Sequence, residues 1–340
     1  MKTIPKRHLG RFAITAIALA FLAPAASAVW TDDVEMKGFV STGYTWNFNK
    51  TEDNAYRVFD THHDSFTLDA AQLSFARNVT KAGETGFRAD LVAGYGIAPV
   101  LAGAAGHEFA VEQAYVRWVA PVGTGLTLDM GKLLTHLGYE LVEGVDGWND
   151  QYSRSLLFGW AIPFTHTGLR AGYAPSGKVT AMLELTNGWD NNIDLPNQGK
   201  TLGAQVIVTP ASTYSFVGNA IYGSEASDPG SHRWVAEGIL SVTPTPKLRV
   251  GMDVLAGQEN NISRPPPPPD ATVAVVDGKW MGVAGYLNYD LTSKVVLHLR
   301  GEMLDDKDGV RTGSVQKLTE VTVTPEYKVS EKMSVRGEFR

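Results

Sequence analysis

The sequence predicts an all-β fold, a transmembrane antiparallel up-and-down β-barrel, from three observations. The first is a series of short segments in which apolar and polar residues alternate, as expected of strands with two different faces. The second is that the connections between these segments are alternately long and short. The third is an export signal, after which no stretch is long and apolar enough for a transmembrane helix. About 16 strands are expected in such a barrel, and about 15 are present in this chain.

The first 28 residues have the composition of a secretory signal peptide. Four basic residues precede an apolar run over Phe12–Ala23, and Ala26-Ser27-Ala28 forms a cleavage site before Val29. The apolar run is too short to be a membrane-spanning helix. We therefore expect residues 1–28 to be removed on export in a Gram-negative cell, and residues 29–340 to form one barrel in the outer membrane.

The composition of the exported chain excludes several classes of protein. Four of the 30 Lys and Arg residues lie in the signal, which leaves 26 against 36 Asp and Glu, a net charge of −10. This balance argues against a nucleic-acid partner, because such proteins present a basic face. The chain has no cysteine, which excludes a disulfide scaffold, a thiol nucleophile and a Cys-ligated metal.

The strand predictions rest on alternation between turn signals. In Val295–Glu302 the apolar residues occupy odd positions, and the polar residues occupy most of the even ones. The predicted strands lie near 35–48, 66–77, 85–94, 108–119, 125–132, 166–174, 178–187, 200–209, 213–223, 232–243, 246–257, 279–289, 293–303, 316–327 and 332–340.

The predicted connections differ in length in a regular way. The short ones are 78–84, 120–124, 175–177, 210–212, 244–245, 290–292 and 328–331. The long ones are 49–65, 95–107, 133–165, 188–199, 224–231, 258–278 and 304–315. Bacterial outer-membrane barrels have short periplasmic turns and longer external loops, whereas a soluble sandwich has no reason to gather its long loops at one end.

The charged residues within the strands fall on one face. In a membrane barrel the apolar face meets lipid and the polar face lines the lumen, and about sixteen strands enclose an aqueous channel. The residues predicted to line the pore are Arg88, Asp90, Arg117, Asp129, Arg249, Asp253, His298, Arg300, Glu302, Glu320, Arg336 and Glu338.

The connection over residues 133–165 is the longest and has neither a sustained period of 2 nor a convincing amphipathic helix. Such long connections inside compact domains are usually functional. We expect it to fold into the barrel and narrow the pore, with its acidic residues facing Arg88, Arg117 and Arg154. The predicted constriction residues are Glu140, Glu143, Asp146, Asp150 and Arg154.

Motifs for catalysis and metal binding are absent from the sequence. It has no G-x-S-x-G and no H-E-x-x-H motif. The adjacent His62 and His63 do not define a metal site, and the acidic residues of 133–165 do not have the spacing of an EF-hand loop. We therefore expect no catalytic residue, no metal and no cofactor.

Several segments resemble the OmpL-like β-barrel porin family, often called porin-2. The most specific are GKLLTHLGYELVEGVDGWNDQYSRSLLFGWAIPFTHTGLRAGY and LTNGWDNNIDLPNQGKTLGAQVIVTP, between Gly131 and Pro210, and the likeness extends over almost the whole mature chain. The resemblance implies an outer-membrane channel for small solutes and carries over no catalytic residues. The partners it implies are small solutes, outer-membrane lipid and lipopolysaccharide, and the barrel-assembly machinery; a homotrimer is expected from porins at large.

Two functional classes remain open beside a porin for passive diffusion of small hydrophilic solutes or ions. One is an outer-membrane barrel enzyme of the lipase or protease type, for which His136 with Ser153 or Ser155 is the pairing worth naming. The other is a secreted soluble β-protein. The odd strand count leads us to expect a barrel that lacks its last strand, with a gap or strained pairing between Gly38–Phe48 and Ser334–Phe339.

Overall fold

The protein forms one antiparallel sheet of 15 strands in which each strand pairs with its neighbours in sequence, from β1 to β15. The computed structural model describes residues 33–50, 53–103, 106–193, 199–225, 230–264 and 274–340. The strands are β1 (Glu35–Thr45), β2 (Ser65–Arg77), β3 (Thr85–Ala93), β4 (Phe109–Ala120), β5 (Leu126–Leu134), β6 (Thr165–Ser176), β7 (Val179–Thr186), β8 (Thr201–Ala211), β9 (Tyr214–Gly223), β10 (Arg233–Thr245), β11 (Leu248–Arg264), β12 (Ala274–Asp290), β13 (Val295–Asp306), β14 (Gln316–Ser330) and β15 (Met333–Arg336). The predicted fold class and the count of about 15 strands are confirmed.

The strands have two chemically different faces. In β13 the even-numbered residues from Val296 to Asp306 are buried and the odd-numbered ones are more accessible, which is the predicted alternation. On β14, Val321 pairs with the odd-numbered Gly301 and is 65% exposed, as expected of a side chain that points toward lipid. Since successive side chains on a strand point to opposite faces, the buried charged residues all point toward the interior.

The connections follow the predicted long and short alternation. Residues 212–213 and 246–247 make tight turns at one end of the sheet, while residues 135–164 separate β5 from β6 at the other. Two of the long connections carry short helical segments that the sequence did not indicate. Helix α1 (Ile97–Ala102) follows β3, and a single turn of π-helix spans Leu157–Ala161. No helix among the described residues is long and apolar enough to cross a membrane.

Two strands are longer than predicted. β11 continues to Arg264 instead of 257, and β12 begins at Ala274 instead of 279, and the two pair with each other over this extra length. The sequence there, beginning Gln258-Glu259-Asn260-Asn261, is polar at successive positions, so the alternation that identified the strands is lost although backbone pairing continues. An irregularity between Glu259 and Ile262 interrupts the register.

The first and last strands approach each other without pairing. Among the described residues no ladder joins β1 to β15, and a barrel that lacks its last strand stays a prediction. Beyond the ends of the two strands, the rings of Phe48 and Phe339 lie 6.3 Å apart and Arg340 forms an ion pair with Asp60. The predicted signal peptide and the run Pro265–Pro269 lie outside the described residues.

The buried apolar core lies inside the barrel and is built largely by the connections. Phe158 of the π-helical turn packs near Phe59 and Phe164, with ring centroids 6.1 and 5.7 Å away. The Trp280 indole of β12 donates a 3.1 Å hydrogen bond to the Ala161 carbonyl. This core fixes the second half of the 135–164 connection against the wall.

Candidate functional site

The connection between β5 and β6, residues 135–164, is called the inner loop here because its backbone is held by side chains on the inner face of distant strands. The amide of Gly138 donates to Glu237 at 2.9 Å, that of Leu156 to Glu302 at 2.6 Å, and that of Ser153 to Glu338 at 3.1 Å. Backbone donors that leave water need such acceptors. Glutamates on β10, β13 and the last residues therefore hold this non-regular segment inside the barrel.

Arg300 of β13 is the main link between the wall and the inner loop. Its fully buried guanidinium lies 2.8 Å from Glu140, 3.1 Å from Glu302 and 3.1 Å from Glu320. It also donates to the Ser153 carbonyl at 2.7 Å. A guanidinium presents five donors in a planar fork, so one side chain lies in ion-pair contact with two wall carboxylates and also contacts two parts of the loop.

A second cluster of charges joins the inner loop to β14 and the chain end. Arg57, from the connection after β1, forms an ion pair with Glu320 and donates to the Arg154 carbonyl at 3.1 Å. The guanidinium of Arg154 lies 3.3 Å from Glu143 and 4.8 Å from the centre of the Phe59 ring. Burial lowers the pKa of Arg57 to about 10, which leaves this residue charged at neutral pH.

The remaining acidic residues of the loop also have wall partners. Asp146 lies 2.7 Å from Arg88, which binds Asp90 on its own strand at the same distance. Asp150 accepts a 2.7 Å hydrogen bond from Asn288. It lies 3.6 Å from His298, whose other ring nitrogen is 3.0 Å from Glu326. Two more inward residues touch the loop backbone, namely Asp253 at the Tyr139 amide and Arg336 at the Asn149 carbonyl. Glu338 also accepts from the Tyr152 amide.

Two of the predicted wall arginines pair within the wall instead of with the inner loop. Arg117 does not face the acidic residues of the inner loop, because Asp129 lies directly opposite on β5 and binds the guanidinium at 2.6 and 2.7 Å. Arg249 is 3.2 Å from Asp290 near the end of the sheet with the short turns. Both arginines are neutralised within the wall, so the predicted pairing with the loop was wrong for Arg117.

A glycine on the wall makes room for an aromatic side chain of the loop. The Tyr139 ring stacks on Tyr286 with centroids 4.1 Å apart and lies over Gly251, where a Cβ would be 2.4 Å from the ring. Any other residue at 251 would displace the tyrosine. Burial raises the pKa of Tyr139 to about 12, so its hydroxyl remains neutral.

An open cavity of about 390 Å³ lies between the inner loop and the wall formed by β8, β9 and β10. The loop contributes His136, Tyr139, Trp148 and Asp150 among others, and the wall contributes Gln205, Val217, Ile239 and Ser241. Trp148 remains 45% exposed here. The loop is therefore packed tightly against one part of the wall and separated from another by space.

Sequence reasoning missed a cluster formed by His136, His166 and Glu184. These residues belong to the inner loop, β6 and β7, and their potential ligand atoms all lie within 4.8 Å of one another. No local motif joins positions separated by 18 and 30 residues. Only the pairing of β6 with β7, which places Glu184 opposite Arg170, could have suggested that one of these residues faces the others.

Comparison with known proteins identifies a family and a fold. The family described as "Putative beta-barrel porin-2, OmpL-like" matches residues 33–340. No protein of curated function matches the chain. Among solved structures, the outer membrane channel DcaP of Acinetobacter baumannii has a TM-score of 0.58 at 11% identity, over 91% of each chain. Salmonella typhi OmpF, solved in complex with daunomycin, has a TM-score of 0.59 at 10% identity, over 89% of this chain and 88% of that one.

A third similar structure is a loop-deletion form of OmpT, an outer membrane protein of Vibrio cholerae. It has a TM-score of 0.54 at 11% identity, over 90% of this chain and 93% of that one. At such low identity these likenesses show the fold alone, whereas the family match covers nearly the whole described chain and confirms the resemblance seen in the sequence. The chain belongs to the OmpL-like β-barrel porin-2 family and is a channel-forming porin of the bacterial outer membrane.

Proposed function

We propose that small hydrophilic solutes or ions diffuse passively through this porin, and that the inner loop sets the narrowest point of their path. One observation carries the proposal, namely the cavity of about 390 Å³ between the loop and the β8–β10 wall. In this proposal solutes pass the loop through this space, since on its other side the loop is bonded to Arg300 and Glu302 of β13. Constriction by side chains on a pore wall is a common basis for selection by size and charge.

The predicted constriction residues divide into two roles under this proposal. Glu140, Glu143 and Arg154 are buried in ion pairs and hold the loop in place. Asp146 and Asp150 are more accessible, with 59% and 35% of their side chains exposed, and they act on passing ions. Among the predicted wall residues, Arg300, Glu302 and Glu320 hold the loop, whereas Arg117 and Arg249 are paired with Asp129 and Asp290 within the wall.

The charge around the cavity favours cations. Among the described residues that line it, Glu140 and Asp150 are acidic and none is Lys or Arg. Glu140 is neutralised by Arg300, so Asp150 supplies the exposed charge. A carboxylate in a narrow aperture acts on ions more strongly than one on an open surface, because less water screens it.

The expected partners extend the proposal. Small solutes are the cargo, the lipid-facing strands meet outer-membrane lipid and lipopolysaccharide, and the barrel-assembly machinery inserts the chain. A homotrimer would bring three such apertures together. Each of these is an expectation for an outer-membrane porin, testable by crosslinking in native membranes.

Enzymatic activity is not part of the proposal. The hydroxyl of Ser153 accepts a hydrogen bond from Arg300 at 3.1 Å, and that of Ser155 accepts one from the Phe158 amide at 3.0 Å. His136 is instead 3.2 Å from Glu184. A nucleophile must lie within hydrogen-bond reach of its base, and this arrangement of His136 and the two serines offers no support for a lipase or protease.

Single-channel conductance in planar lipid bilayers tests the proposal. The wild-type protein is expected to form ion-conducting steps, and deletion of residues 140–152 is expected to raise their size because the obstruction is removed. Folding of the deletion is checked by its resistance to SDS before heating. Absence of any conducting step in the wild type would overturn the channel. An unchanged conductance in a folded deletion would overturn the constriction alone.

A further inference from the structure

The cluster of His136, His166 and Glu184 presents metal-binding atoms at the edge of the cavity. Nδ1 of His136 lies 3.2 Å from Oε1 of Glu184, and Nε2 of His166 lies 3.8 Å from the same oxygen. The two imidazole rings have their centroids 5.7 Å apart. Three side chains from three different elements thus converge on one point.

Two of the three converging atoms are buried without a hydrogen bond. Nδ1 of His136 and Oε1 of Glu184 are both shielded from solvent and make no hydrogen bond, which costs free energy in a folded protein. The other carboxylate oxygen of Glu184 is occupied, since Arg170 donates to it at 2.9 and 2.8 Å. Arg170 therefore orients Glu184 with Oε1 directed toward the two histidines.

The space around these atoms is kept open by a glycine. A Cβ at Gly203 of β8 would lie 2.6 Å from Oε1 of Glu184 and 2.8 Å from Cε1 of His136. The neighbouring Gln205 donates a 2.9 Å hydrogen bond to the His136 carbonyl, which holds the loop end of the cluster. The wall therefore supports the cluster and leaves room beside it.

Two of the three spacings are close to those around a small transition-metal ion, and all three atoms lie within 4.8 Å of one another. Two ligands bound at about 2.0–2.1 Å from Zn²⁺ in a tetrahedral site are about 3.3 Å apart, and the contacts to Glu184 Oε1 are 3.2 and 3.8 Å. Two imidazoles and one carboxylate also form a common donor set for zinc, with a fourth position left for water. Binding at Nε2 of His166 replaces the 3.3 Å contact of that nitrogen with Thr135 Oγ1.

We propose that His136, His166 and Glu184 form a binding site for a divalent first-row transition-metal ion, with Zn²⁺ as the probe. Ions reach it through the pore because His136 lines the cavity. Bound there, the ion joins the start of the inner loop to β6 and β7 through three coordinate bonds. Arg170 is the positive charge nearest the site, and Glu237, which binds the Gly138 amide, adds a further carboxylate nearby.

Metal binding to the purified full-length protein in detergent tests the proposal without relying on conductance. Calorimetric titration with Zn²⁺ is expected to give one ion per chain. His166→Gln and Glu184→Gln are expected to weaken binding on the order of 100-fold, at or above the loss seen when an outer-shell partner is removed. Co²⁺ in the wild type should show the strong visible absorption of a four-coordinate ion, and each variant should lose it.

The matched controls are His62→Gln and His63→Gln. These two histidines are adjacent in the connection after β1, outside the proposed site, and their replacement should leave Zn²⁺ affinity unchanged. His136→Gln provides a third ligand variant on the loop in case Glu184→Gln disturbs folding. Wild-type protein that takes up no stoichiometric Zn²⁺ would overturn the site. Equal affinity in all three ligand variants, or loss of binding only in the His62 or His63 variants, would do the same. None of these outcomes bears on whether the barrel is a channel.

Discussion

The inner loop meets two parts of the wall in different ways. Toward β13, β14 and Glu338 the contact is charged and closed, with the buried Arg300 between Glu140, Glu302 and Glu320. Toward the middle of β9 and β10 the wall presents Val217, Ile239 and Ser241 across an open cavity. The difference lies in the side chains that face the loop: charged groups fill the closed side, whereas Val217, Ile239 and Ser241 leave the cavity open, although Glu237 of β10 still holds the Gly138 amide at one end of the loop.

The largest effect is expected from Arg300→Met, which breaks the closed side. Removal of the guanidinium leaves three carboxylates without their shared cation, and loss of one member of a buried ion cluster lowers the free energy of unfolding by about 3–5 kcal/mol. The temperature at which the folded barrel loses its resistance to SDS should fall markedly. The matched control is Arg249→Met, because the Arg249–Asp290 pair is partly exposed and such pairs contribute about 0–1 kcal/mol. Equal effects in the two variants would contradict the assigned difference between the regions.

The next largest effect is expected from Leu240→Arg, on the lipid-facing side of the wall that borders the cavity. Leu240 of β10 lies opposite Met252 and Phe216, both well exposed, so it points toward lipid. Leu240→Arg should cost about 2–4 kcal/mol if it lies near the bilayer midplane and reduce the folded yield in detergent or vesicles.

The adjacent substitution Ser241→Arg places the same side chain in the cavity. Folding should be nearly normal, because a lumen tolerates charge, while cation conductance should drop. A worse folding defect for Ser241→Arg than for Leu240→Arg would mean that the two faces of β10 are reversed, as a register slip of one residue would cause.

A smaller effect is expected from widening the aperture. Trp148→Ala removes a large ring that lines the cavity, and single-channel conductance should rise, though by less than after deletion of residues 140–152. Trp118→Ala is the control, since Trp118 is similarly exposed, at 39%, but is not among the residues that line the cavity. A similar rise in both variants would show that conductance responds to general loosening rather than to the aperture.

The smallest effect concerns ion preference. In a salt gradient the wild-type reversal potential should indicate cation preference, and Asp150→Asn should move it toward zero. The shift should be clearest at low salt, because charges are screened within about 10 Å at 0.1 M. Asp64→Asn serves as a control, since Asp64 accepts a hydrogen bond from the exposed Tyr44 hydroxyl in another connection. An unchanged reversal potential for Asp150→Asn would remove this residue from the selective region.

Much of the fold could be predicted because a membrane strand needs apolar residues toward lipid and accepts polar residues toward the interior, so the two alternate along the sequence. In β13 lipid requires apolar odd positions while the interior accepts His298, Arg300 and Glu302, so alternation alone located the strand. The same rule failed beyond residue 257 of β11, where Gln258 to Asn261 are polar at successive positions although pairing with β12 continues. Strand ends outside the apolar zone are therefore the least predictable parts.

The candidate site was predictable in its location but only partly in its contacts. The length and the acidic residues of 133–165 marked the loop, and Asp146 has its expected partner in Arg88. The partner of Glu140 is 160 residues away, and which arginine reaches it depends on how far the sheet curves. Arg117 was misassigned for a local reason, because its partner Asp129 stands one strand away in register. A register for β4 and β5 would have revealed that pair.

The positions of the loop's anchors also have a consequence for the order of assembly. The inner loop is synthesised between β5 and β6, whereas several of its bonds are made with Arg300, Glu302 and Glu338, near the other end of the chain. Contacts between such distant residues form slowly, since long segments must first be ordered. The loop atoms that bind these residues therefore stay exposed until the final strands have formed. Because the chain lacks cysteine, a Ser155→Cys variant pulsed with a thiol reagent during refolding should become protected only after the strands resist protease. Protection before then would mean that the loop settles without its anchors.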